Sequence, residues 1–180
     1  MTERSILVYM RYRIIPFIIT LAIIAMSTTT LVSAVDTKLT EKQSASIVSY
    51  CNTVRQDLKN LQRSDARART YFGSIYETIF SKYLKPLNLR IVNNDLSNST
   101  LLKLQSNFAE ARTDFSEDYI KYSKSLEELI SIDCRQDPES FYNKFVSTRE
   151  KRAVVASDIK TINDLLTSII KNTEQLKESL

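Results

Sequence analysis

Histidine and tryptophan are absent from the 180-residue chain, and glycine occurs once. An average composition would supply about a dozen glycines at this length. Tight turns, hairpins and phosphate-cradling loops depend on glycine. The deficit therefore argues against sandwiches, barrels, P-loops and dinucleotide-binding folds. The missing histidine removes the commonest general base and metal ligand, and leaves a serine or cysteine nucleophile without its ordinary base. No catalytic residue, cofactor or metal site is expected.

What is present is helix-forming material, 43% hydrophobic and 26% charged, with 3 prolines. The first 35 residues read as a targeting segment. Arg4, Arg11 and Arg13 outweigh Glu3, and Ile14–Met26 is almost wholly apolar. Val32-Ser33-Ala34 has the small-residue form that a signal peptidase accepts, with cleavage after Ala34. The competing reading is a retained anchor, because the 22 uncharged residues Ile14–Val35 are enough to cross a bilayer core. Either way the arginines hold the N-terminus in the cytoplasm. Residues 36–180 are then exported, either free in the secreted or periplasmic space or tethered to the cytoplasmic membrane through residues 14–35. Of 25 basic and 21 acidic residues, three Arg and one Glu belong to the first 35, leaving 22 and 20. That near balance weighs against nucleic acid as a partner.

Beyond residue 36 the apolar spacing is helical. Ile47, Cys51, Val54, Leu58, Leu61, Asp65, Ala68, Phe72, Ile75 and Ile79 follow alternating 4-3 steps, with Asp65 the one polar break. Thr40-Glu41-Lys42-Gln43 has the form of a capping box, and Pro86 is expected to end this helix. A second stripe runs through Leu101, Leu104, Phe108, Ala111, Phe115, Tyr119, Tyr122, Leu126 and Leu129, with a slip in phase near Tyr119. Asp137-Pro138-Glu139 opens a third helix with a cap, a first-turn proline and an acid. Its stripe runs from Phe141 through Arg152 to Leu180 without interruption. Sustained heptads predict coiled-coil-like packing. The expected fold is all-α, an elongated antiparallel up-down-up bundle with helices near 40–85, 97–133 and 138–179 and short connections.

Counting residues from the helix ends puts Cys51 and Cys134 about 4.5 Å apart in height on neighbouring antiparallel helices. Two cysteines at one level in an exported protein predict a disulfide; the bland alternative is two small buried thiols. The same counting brings Asp65 of the first helix level with Arg152 of the third, with Asp118 of the second close by. A charge in a core slot is costly unless paired. These three residues are therefore expected to form a polar layer that fixes register, against the alternative that the heads snorkel outward.

Opposite charges near that height (Arg63, Arg67, Arg69, Arg149, Lys151 and Arg152 against Glu110, Asp114, Glu117 and Asp118) predict ion pairs between helices. The acids alone lack the alternating-oxygen loop of a cation site. Tyr71, Tyr76 and Tyr83 fall off the main stripe, and tyrosine is enriched at interfaces. They are the expected partner-facing surface. The apolar tip Pro86–Leu96 is expected to cap the open end of the bundle. Together these features predict a non-enzymatic exported scaffold or interaction protein of the cell envelope, with a protein partner and oligomerisation as an option. The alternative is an envelope holdase that binds unfolded chains through exposed apolar grooves.

Overall fold

The computed structural model describes residues 38–94, 96 and 98–178. Residues 1–35, on which the expectation of a signal or anchor falls, and the last stripe slot, Leu180, lie outside them. The described residues form an all-helical bundle with no strand among them: α1 (Glu41–Ile79), a π-helical turn (Phe80–Leu84), α2 (Lys85–Asn93), α3 (Ser99–Ser131) and α4 (Pro138–Glu178). None of these helices is long and apolar enough to cross a membrane.

The helix starts have local causes. Thr40 caps α1, its hydroxyl accepting from the Gln43 N–H while the Gln43 side chain accepts from the Thr40 N–H. Asp137 accepts from the Ser140 N–H at 2.9 Å ahead of Pro138. Asn98 caps α3 by accepting from the Leu101 N–H, so its side chain is committed to the backbone.

Pro86 does not end the first helix. Backbone angles stay right-handed helical through the π-turn, and Pro86 sits in the first turn of α2. A mid-helix proline normally clashes with the carbonyl four residues before it. Here the ladder has already widened, with the Lys85 N–H reaching back to the Phe80 carbonyl, and the ring fits in the wider turn. The turn also changes which residues face inward. Continuing the 4-3 steps from Ile79 would bury Lys82 and Pro86. Instead Phe72, Tyr76, Phe80 and Leu84 follow three successive steps of four, and Leu87 and Ile91 resume the ordinary spacing. Such a run unwinds a helix locally, and the π-turn accommodates it. Leu84 and Ile91 are buried and Leu87 and Leu96 pack against them, capping the bundle, while Tyr83, Leu89 and Val92 face outward.

The two seams differ in character. α3 and α4 share the most extensive interface. On α4 the buried Phe141, Thr148, Val155, Ile162 and Ile169 recur every seventh residue. On α3 the buried residues are Leu101, Gln105, Phe108, Ala111, Phe115, Tyr122, Ser125, Leu126 and Leu129. The inward register therefore runs through Gln105 rather than Leu104, which is half-buried, while the buried Ala111 keeps the two successive four-residue steps that reach Tyr119. Ser125 and Thr148 meet inside this seam at 2.8 Å, and the Thr148 hydroxyl also donates to the Ser125 carbonyl. Along α1 only Cys51, Leu58 and Tyr76 are buried, and Ala68 is exposed. Less apolar area holds α1 to its neighbours, so covalent and polar contacts carry more of that seam.

Candidate functional site

The seam between α1 and α3 concentrates the chemistry. Its contacts run from Cys51–Cys134 through Asp65–Tyr122 and Arg69–Ser116 to Glu77–Arg112. Numbers rise along α1 as they fall along α3, so the two helices run in opposite directions.

At one end Cys51 and Cys134 form a disulfide across a separation of 83 residues, with a Cα–Cα distance of 5.7 Å. Both are fully buried. Further along, the Asp65 carboxylate accepts two bonds from Arg152 of α4, from Nε at 2.7 Å and from Nη2 at 3.1 Å. It also accepts from the Tyr122 hydroxyl at 2.7 Å. One residue from each of α1, α3 and α4 thus meets at a single carboxylate, a bidentate, charge-assisted arrangement that fixes register as well as contributing energy. Asp118 does not join this node. It pairs with Lys121 one turn along its own helix at 2.7 Å, and Tyr122 takes the place that the sequence assigned to it. The inward register explains this: Tyr122 is a core slot of α3 and Asp118 is not.

The Asp65 side chain is 16% exposed and Arg152 50%. Half-exposure discounts the pair, so Asp65→Asn or Arg152→Gln is expected to cost about 2 kcal/mol each, with a coupling of about 1 kcal/mol in the double-mutant cycle. Additive losses in urea melts would show that no register-fixing layer exists.

Of the three tyrosines expected at a partner surface, Tyr71 and Tyr83 are 60% and 65% exposed, whereas Tyr76 is 2% exposed and belongs to the core. Its ring stands edge-on to Phe108 and Phe115, because the inward face of α1 is wide enough here to take position 76 beside Phe72, Ile75 and Ile79. The Tyr76 hydroxyl is buried without a hydrogen-bond partner, and burial pushes its pKa up to about 12. Burial, then the bond to Asp65, likewise raises Tyr122. The fold therefore favours the neutral Tyr76 phenol. That contribution is complete below pH 10 and is lost as the pH climbs from 10 towards 12. Tyr76→Phe is expected to match or exceed the parent in stability near pH 7, since it removes an unpartnered hydroxyl. Above pH 10 it should gain on the parent by about 1.4 kcal/mol per pH unit, checked by denaturant melts across pH. Parallel curves would contradict the assignment.

The anticipated ion pairs between α3 acids and the arginines of its neighbours do not form among the described residues. Arg63 bonds Asn60 and the Lys59 carbonyl, and Lys151 bonds Ser147. The interhelical pairs are Arg112–Glu77, Lys144–Glu128 and Arg152–Asp65. Asp114, Asp118 and Asp158 lie near one another, and burial followed by those two neighbours raises the Asp158 pKa. No group of residues suited to a metal ion occurs among those described.

Beside Tyr76 an open groove of about 550 Å³ lies between α1 and α3, lined by Arg69, Gly73, Glu77, Arg112, Ser116 and Glu117 among others. The Arg112 guanidinium pairs with Glu77 and sits 4.4 Å above the Phe80 ring. Arg69 donates to the Ser116 hydroxyl at 3.0 Å and lies 5.8 Å from the Tyr119 ring centre. Sequence reading placed Arg69 only within a charged belt; the one hint of the groove was the single glycine, four residues on. Comparison with known proteins finds no matching family model, curated protein or solved structure.

Proposed function

We propose that the protein is an exported, non-enzymatic scaffold or interaction module of the cell envelope, its residues 36–180 an elongated, coiled-coil-like up-down-up bundle. The observation that carries this reading is the buried Cys51–Cys134 bridge. Disulfides form and persist in oxidising compartments, the destination expected for a chain that begins with a basic and then apolar segment. The Asp65 node adds to it, since residues that lock three helices in register suit a rigid spacer. The exposed Tyr71 and Tyr83 offer rigid, amphipathic contact area of the kind interfaces favour.

The test is a photo-crosslinking residue placed at position 71 or 83 in intact cells, with position 139 as control. A discrete adduct from 71 or 83, formed outside the cytoplasm, is expected; a product of twice the chain's mass would make the partner a second copy. Adducts with cytoplasmic proteins, or no discrete adduct, would overturn the reading. A holdase is the second reading. It draws on Tyr50, Leu89, Ile120 and Ile170, each more than half exposed and one on each of α1, α2, α3 and α4. Suppression of a client protein's aggregation by the full chain would select it.

A further inference from the structure

We infer that the groove between α1 and α3 is a carboxylate-binding site, built to hold an acidic side chain of a protein partner on Arg69 and Ser116. The inference rests on the reading of the protein as an interaction module and names the chemistry that would hold the partner.

Arg69 is half-buried and has no carboxylate within ion-pair distance among the described residues, unlike Arg112 across the groove, which has Glu77. Its one hydrogen-bond partner is the neutral Ser116 hydroxyl. A guanidinium carries five N–H donors, so most of its capacity is unused. Ser116 accepts from Arg69 and keeps its own proton to donate. Two donors beside an open groove, one of them charged, can both reach a single carboxylate, the arrangement that gives short, strong bonds.

Gly73 is the chain's single glycine and stands inside α1, where glycine costs about 1 kcal/mol relative to alanine. Its φ is not in the left-handed region, so the backbone gives no reason for it. Space does: a Cβ at this position would lie 3.2 Å from Arg69 Nη1. The missing side chain lets the guanidinium rest across the helix at the groove.

The other charges select the ligand. Glu77 is engaged by Arg112, and Glu117 lines the groove without an ion pair. Glu117 already offsets Arg69 in the sum over the lining, so an anion reaches the guanidinium by direct pairing and against that acid, and a single charge meets the least repulsion. A phosphate dianion or a polyanion would bring surplus negative charge against Glu117.

The test is a nuclear magnetic resonance titration of the full chain, oxidised and in nonionic micelles. The probe is N-acetyl-glutamate α-methylamide, compared with the glutamine analogue and inorganic phosphate. The glutamate probe is expected to shift the Arg69 Nε–H and Gly73 amide signals saturably, and the glutamine analogue to leave them in place. Arg69→Gln should weaken binding about tenfold, the worth of one charge-assisted pair. Ser116→Ala and Gly73→Ala should weaken it several-fold while melting no earlier than the parent, which separates ligand binding from folding. No saturable shift, an equal response to the glutamine analogue, tighter binding of phosphate, or an unchanged Arg69→Gln would each overturn the proposal. Such a failure leaves crosslinking from positions 71 and 83 unaffected, so the two readings fall separately.

Discussion

Opening the Cys51–Cys134 bridge is expected to cost the fold about 4.5 kcal/mol and to lower its melting temperature by about 15 °C. In the chain-entropy model, releasing a closed loop of 83 residues returns that much freedom to the unfolded chain. The cost falls where it matters most. α1 buries few residues and shares less interface with the rest than α3 and α4 share with each other. The N-terminal half of α1 has Leu58 as its other fully buried residue before Asp65. Cys51→Ser with Cys134→Ser should therefore detach the start of α1 first, and amide exchange should rise over residues 41–60 before it rises in α3 or α4. A melting shift of under about 3 °C would mean that the unfolded chain is restrained by something other than the bridge.

The second large effect discriminates between neighbouring residues. Leu84→Ala is expected to destabilise by about 3 kcal/mol, within the usual range for a buried leucine, and Tyr83→Ala by under about 0.5 kcal/mol. Leu84 is 4% exposed and Tyr83 65%. The contrast depends on the π-turn, since a regular helix through this stretch would turn Lys82 and Pro86 inward. Leu84 also belongs to the cluster in which Ile91 is 1% exposed, so its loss loosens the cap on that end of the bundle. Chemical denaturation of both variants checks this. A larger loss from Tyr83→Ala would mean that the helix does not widen before Pro86.

Helices were legible where local chemistry and long-range pattern agree. The Thr40 box, the Asp137-Pro138 start and the seven-residue recurrence on α4 are each sufficient alone. Level counting was equally informative about contacts, because antiparallel helices of even rise behave as rulers. It put Cys51 beside Cys134 and Asp65 beside Arg152, and the structure joins both pairs. What the sequence hid were departures from even spacing. The proline signal at Pro86 assumes a regular ladder, and a single widened turn removes the clash. Tyr76 reaches the core ahead of that turn, because the inward face of α1 is wide enough there to take Phe72, Ile75, Tyr76 and Ile79 together. Gln105 hid the α3 register because an apolar Leu104 stood next to it. Asp118 shared a height with Asp65 but not a face, and height alone cannot separate the two. The groove left only the single glycine as a hint, since it is defined by what Gly73 lacks and by an arginine without a carboxylate.

The most direct test of the account is the thiol state of the protein recovered from its own cells. Alkylation before and after reduction, read by intact mass, is expected to add no label to the untreated chain and two labels to the reduced one. Two labels on the untreated chain would contradict the claim that this bundle is locked by a bridge outside the cytoplasm.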